Sequence, residues 1–260
     1  MELEMAKYEV KNRVAYITLN APKTLNAICP PLIRDVCLAM NEAEQDDDVK
    51  VVVLNATGKA FCAGGDLGFF YKGLKEGSID MGPLMKDSMR IPMAIKKSAK
   101  PYICAARGAI AGAGCSLTLC CDFTFVSDTA IFIEAFVGIG LLPDTGGVYL
   151  LSRAIGSNRA AQLALTGEPI KAEKMMTMGL AYKMVPDQEL DEKVSAFAEH
   201  LAKGPATSYQ YIKKMIYEND FADFETYFDR EAEYQKKCAE HPDFKEGVSA
   251  FVEKRKPQFK

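Results

Sequence analysis

Phe61-Cys62-Ala63-Gly64-Gly65-Asp66-Leu67 and Gly108-Ala109-Ile110-Ala111-Gly112-Ala113-Gly114-Cys115 are the two stretches on which the reading of this chain turns. The first follows the apolar run Val51-Val52-Val53-Leu54. The second follows Pro101-Tyr102-Ile103-Cys104-Ala105-Ala106. Each stands where a buried strand ends and a helix can begin. A turn at such a place leaves main-chain N–H groups unpaired and aimed outward, and small side chains let a ligand atom come close to them. Two such turns facing one another make a two-donor hole for a polarised carbonyl oxygen. The competing reading is that both glycine turns only let a strand pack tightly against a helix.

Outward from these stretches the chain keeps a β-α rhythm. Tyr8-Glu9-Val10 and Val14 to Leu19 alternate around Lys11-Asn12-Arg13, which predicts a hairpin. Pro30 to Ala43 has helical spacing with proline in its first turn, and Val49 to Leu54 reads as a buried strand. Repetition of these units argues for parallel pairing with helices on the faces. Gly114 to Phe123 and Val148 to Ala154 are expected as helices. Gly68 to Ala99 breaks the rhythm, yet Met81, Met85, Met89 and Met93 recur at helical spacing. That stripe is either core packing or the pliable wall of an acyl pocket, and a helix covering the pocket satisfies both. After Pro186 come amphipathic helices at Asp187 to Ala202, Thr207 to Asn219 and Asp223 to Glu240. The expected organisation is a core over residues 1–186 and a helical region over 187–260. That region must pack on the core or on another subunit to cover its apolar faces.

Composition narrows the function class. The chain has 260 residues, 48% hydrophobic and 26% charged, with a net charge of -3, which gives no reason to expect a nucleic-acid partner. Its first residues are acidic, no signal-type apolar core follows them, and no apolar run is long enough for a bilayer, so a cytoplasmic protein is expected. The eight cysteines are scattered and form no Cys-x-x-Cys pair, so reduced, buried thiols are expected. With only His200 and His241 present, no metal site is expected.

The two glycine stretches resemble the oxyanion segments of the crotonase (enoyl-CoA hydratase/isomerase) superfamily. The likeness continues through Ile139 to Gly147, Leu165 to Ile170 and Met178 to Ala181, opens at Ile17 to Lys23 and closes at Glu246 to Phe251. Pro143-Asp144 and the tail from Glu246 are most similar to the ring-epoxide and enoyl-CoA isomerases of phenylacetate breakdown. The resemblance implies an α/β fold, a crotonase-like stacked β-β-α spiral with a C-terminal helical trimerisation region. It also implies a homotrimer or dimer of trimers. The substrate is an acyl-CoA thioester, and coenzyme A enters as part of it rather than as a separate cofactor. By the same resemblance the oxyanion donors are the amides of Gly65 and Ala113. Lys23, Leu25, Ala27, Ala63, Asp66, Leu67 and Lys254 match positions that contact coenzyme A.

Hydratases of this family use two glutamates, and here those positions hold Ser116 and Phe136. Neither does general acid-base work at neutral pH. Asp144 lies where family isomerases place a working aspartate, although an aspartate before a helix is also a favoured cap. Glu134 is a second candidate, and alternation would put it on the same side as Phe136 if the chain is extended there. The leading expectation is an isomerase moving a double bond through an enolate, with Asp144 as proton carrier. A hydratase or lyase using Asp144 with bound water, and a non-catalytic acyl-CoA-binding protein, are the alternatives. They separate on whether Asp144 and the Gly65 and Ala113 amides converge on one pocket.

Overall fold

The computed structural model describes residues 2–260. Its strands are β1 (Ala6–Lys11), β2 (Val14–Leu19), β3 (Val51–Ala56), β4 (Tyr102–Ala106), β5 (Ala109–Ala111), β6 (Phe123–Ser127), β7 (Ile131–Ile133), β8 (Ile170–Lys171) and β9 (Lys183–Val185). Its α-helices are α1 (Pro30–Gln45), α2 (Leu67–Glu76), α3 (Met81–Ser88), α4 (Arg90–Lys97), α5 (Ala113–Cys120), α6 (Gly147–Ile155), α7 (Ser157–Thr166), α8 (Ala172–Met178), α9 (Leu190–Ala202), α10 (Ala206–Asp220), α11 (Phe224–Glu240) and α12 (Pro242–Val252).

The predicted hairpin is present: β1 and β2 pair antiparallel around Asn12 and Arg13, whose φ angles of 50° and 66° suit a tight two-residue turn. From β2 onward the large sheet, ordered β1-β2-β3-β4-β6-β9, is parallel. Its central strands are apolar on both sides because both faces are covered. Val14, Val51, Val53, Ile103, Ala105 and Phe125 point to one face, where Leu190, Val194, Ala198 and Ala202 of α9 lie against them. Their neighbours Ala15, Ile17, Val52, Leu54, Cys104 and Val126 point into the main core with α1.

A smaller sheet, β5-β7-β8, runs beside the first. Each turn of the spiral lays one strand in the large sheet, one in the small sheet, and then a helix: β4-β5-α5, then β6-β7-α6. Cys62 joins the small sheet through a parallel bridge to Ile110. That connection stacks the first glycine stretch on the second.

Two expectations shift. The helix from Gly114 stops at Cys120, because Asp122 accepts the Tyr102 N–H at 2.7 Å and the Lys213 ammonium at 2.5 Å, and Phe123 pairs with Ile103. The sheet edge, not local helical spacing, decides those residues. The chain is not extended from Glu134 to Phe136, since β7 ends at Ile133 and Ala135–Ile139 forms a 3-10 turn. Half of the methionine stripe serves both roles proposed for it: Met81 and Met85 of α3 are buried in the core and also line the main cavity, whereas Met89 and Met93 are half-buried and lie outside the lining. All eight cysteines are free, and burial pushes the Cys62 thiol up to about 12. Among the described residues, no helix is long and apolar enough to cross a membrane.

Candidate active site

The two glycine turns meet. Gly64 has φ 88° and Gly112 φ 52°, and a Cβ on Gly112 would lie 3.4 Å from the Gly64 Cα. A Cβ on Gly64 would fall 3.0 Å from the Ala111 carbonyl oxygen. Only glycine combines this conformation with this approach. Backbone bonds lock the contact: Cys62 N–H donates to Ala109 at 3.1 Å and Ala111 N–H to Cys62 at 2.9 Å. Ala113 opens α5, so its N–H has no partner within the helix. The Gly65 N–H likewise has no backbone acceptor among the described residues, although its neighbours Gly64 and Asp66 both bond to Ile28. Both amides border one cavity of about 470 Å³.

Asp144 lines the same cavity and is the only titratable residue to do so among the described residues. It does not cap a helix: the N-cap of α6 is Gly146, which makes no side-chain cap bond. The Asp144 carboxylate instead receives the Gln235 amide at 2.7 Å on one oxygen and the Thr145 hydroxyl at 3.0 Å on the other. Burial pushes its pKa up to about 6, against the lowering effect of those two bonds. Ser116, standing where a hydratase glutamate is expected, donates to the Asp144 main-chain carbonyl at 2.8 Å. Phe136, at the other glutamate position, forms part of the apolar wall against Gly112.

Two further carboxyls lie behind this wall. Glu134 is fully buried with neither oxygen hydrogen-bonded, and burial, then the neighbouring Asp144, pushes it up to about 8. It does not line the cavity. Glu231 on α11 is also buried and accepts the Gly146 N–H on both oxygens at 3.1 Å. Burial, then Asp144, raises it to about 8 as well.

Of the residues matched to coenzyme A contacts, Ala63 and Leu67 line the cavity. Lys23, Leu25 and Ala27 do not, but their loop is tied to the first glycine turn: Ala63 N–H donates to Leu25 at 3.0 Å and Ile28 N–H to Gly64 at 2.7 Å. Lys23 is exposed, Leu25 half-buried with φ 55°, and Ala27 buried. Asp66 caps α2 by accepting the Phe69 N–H at 3.0 Å. Lys254 is exposed just past α12, three residues beyond Phe251, which does line the cavity. Sequence reading missed Gln235 and Glu231. Their signal was present: buried positions of α11 fall at Phe224, Phe228, Glu231 and Gln235, so two polar residues sit on an otherwise apolar stripe.

The chain belongs to the enoyl-CoA hydratase/isomerase family, which its residues 9–260 match. It is 38% identical over 260 residues to the trans-2-decenoyl-[acyl-carrier-protein] isomerase of Streptococcus mutans, covering 100% of this chain and 99% of that one. It is 34% identical over 265 residues to the 1,2-epoxyphenylacetyl-CoA isomerase of Escherichia coli, covering 99% and 98%. A probable enoyl-CoA hydratase of Rhodobacter capsulatus is 35% identical over 259 residues, with 100% and 99% covered. Among solved structures, an enoyl-CoA hydratase from Mycobacterium avium subsp. paratuberculosis superposes with a TM-score of 0.89 at 29% identity, covering 100% of both chains. The crotonase fold expected from the sequence is the one observed.

Proposed function

We propose that this protein is an enoyl thioester isomerase with Asp144 as its single proton carrier. The Gly65 and Ala113 N–H groups hold the thioester oxygen. The Asp144 carboxylate takes a proton from C4 of a 2-enoyl chain. That C–H pair becomes the C3–C4 double bond, the C2–C3 π pair moves to C1–C2, and negative charge gathers on the oxygen between the two donors. The helix dipole of α5 adds to its stabilisation. Asp144 then returns the proton to C2, leaving a 3-enoyl thioester.

The observation that carries this reading is that Asp144 is the lone ionisable group on the cavity wall among the described residues. Hydration by two acids needs a second one, and an apolar ring occupies its place. A base near 6 is ionised at neutral pH yet still basic enough to take a proton. The thioester is expected to be that of coenzyme A, bound along the Lys23 loop, Asp66 and Lys254, with no separate cofactor. The S. mutans relative, named for an acyl-carrier-protein substrate, makes the carrier part of the test. Assembly as a homotrimer or dimer of trimers, through the 187–260 region, belongs to the same proposal. Exposed Tyr211, Ile212, Met215 and Ile216 on α10 support it.

The experiment is a panel of enoyl-CoA and enoyl-carrier thioesters, with deuterium exchange followed at C2 and C4, for wild type and Asp144→Asn. Asp144→Asn should lower isomerisation by at least ~10²-fold and leave thioester binding nearly unchanged. Full activity in that variant would discard Asp144 as the base. Binding without turnover of any thioester would favour an acyl-thioester-binding protein.

A further inference from the structure

The turn that carries Asp144 is held in a conformation it would not choose. Thr145 is β-branched and buried, with φ 59°, and Gly146 follows with φ 81°. A β-branched residue in the left-handed region persists only where its surroundings over-determine it. Those surroundings come from α11. Gln235, with no exposed surface, accepts the Leu142 N–H at 3.1 Å, donates to the Leu142 carbonyl at 3.2 Å and donates to Asp144 Oδ2 at 2.7 Å. One turn along the helix, Glu231 holds the Gly146 N–H.

Asp144 has one other carboxylate donor, the Thr145 hydroxyl, and that group moves with the turn itself. Gln235 is thus the carboxylate's one donor from another element among the described residues. We infer that Gln235 is a positioning residue that aims the Asp144 carboxyl into the acyl cavity, an inference resting on Asp144 as the base. An amide is suited to the task. A lysine or arginine there would fix the carboxylate equally well but would depress its basicity, whereas the amide donates without a charge. The other titratable groups facing Asp144 are Glu134, from the turn before Ala135, and Glu231 with Tyr227 beside it on α11. Among the described residues no cation acts on the Asp144 carboxyl.

The test compares wild type, Gln235→Leu, Gln235→Glu and Asp144→Asn for kcat, KM and pH–rate profile on the best thioester of the panel. Gln235→Leu should lower kcat by about 10²-fold, the scale of a misplaced catalytic group, with KM within a few-fold and the acid limb moved upward. Gln235→Glu keeps the acceptor for Leu142 and puts a second carboxyl against Asp144. Its acid limb should rise by about one pH unit or more, as for carboxyls sharing a site. If Gln235→Leu fails to fold by circular dichroism, the Gln235→Glu profile decides alone. Profiles and kcat that superimpose on wild type, while Asp144→Asn abolishes turnover, would overturn the role of Gln235 and leave the base assignment standing. Turnover preserved in Asp144→Asn would remove both.

Discussion

The two walls of the acyl cavity are made of different material. The proposed oxyanion wall is backbone: two glycine turns, bonded to each other, present the N–H groups of Gly65 and Ala113, and no side chain is needed to aim them. The acid wall is side chains gathered from afar. Asp144 sits on a strained turn, Ser116 of α5 holds its carbonyl, and Gln235 and Glu231 of α11 hold the carboxylate and the next amide but one. A backbone site is pre-organised by the fold, because the peptide has few soft torsions. A side-chain site has rotamer freedom, and other side chains must remove it. The first wall therefore tolerates little change in size or backbone, and the second little change in polarity.

Deleting a donor from the backbone wall should have the largest effect. Ala113→Pro removes the N–H at the first helical position, where proline is accommodated. Losing one oxyanion donor costs about 2.7–4 kcal/mol of barrier, so kcat should drop about 10²–10³-fold with the fold intact by circular dichroism. An undiminished kcat would show that this amide does not face the reacting oxygen. Crowding the same wall should cost stability instead. The Cβ of Gly114→Ala would lie 2.8 Å from the Cys62 carbonyl oxygen and 2.9 Å from the Cys62 Cβ. Overpacking of that kind costs about 1–3 kcal/mol, read as a lower urea midpoint. An unchanged midpoint would mean that the two stretches do not stack this tightly in solution.

The acid wall should respond to pH. As the proposed base Asp144 works ionised, so with its pKa at about 6 the rate should fall as protons are added. From pH 7 to 5, kcat/KM should decrease about tenfold; a limb near 4 would place the base in water rather than in this wall. Glu134→Gln should have the smallest effect on activity, within a few-fold, because Glu134 does not line the cavity. Its effect belongs to stability. A carboxyl raised from 4.5 to about 8 stays protonated in the folded protein while the unfolded chain ionises, so its contribution is complete below about pH 4.5 and is lost as pH rises to 8. Thermal scans should show wild type losing stability across that window and Glu134→Gln losing less. Parallel curves would mean that Glu134 finds a partner in solution.

How much of this was legible follows the same division. The glycine stretches, the hairpin, the helix from Pro30 and the strand from Val51 were readable because turn chemistry and hydrophobic period act over a few residues. Phe123 was misread as helix because its place is set by pairing with Ile103, twenty residues earlier. α12 was not anticipated as a helix. Its Gly247 would carry a Cβ 2.5 Å from the Ile139 Cα, a close approach between segments that spacing alone does not reveal. Asp144 is a candidate by resemblance and by the absence of other acids at the expected positions, while its cap alternative was undecided until Gly146 proved to be the N-cap.

By itself the sequence determined the family, the β-α order and the paired backbone turns, since each is written in contiguous residues with their own local energetics. Only the tertiary structure decided how Asp144 is held. Gln235, the donor that reaches its carboxylate from another element, lies 91 positions away on α11, and a polar residue on the apolar stripe of that helix does not name its partner until the segments are packed. Hydrogen bonds between distant segments acquire their value from the burial that folding creates, and that burial is a property of the assembled core.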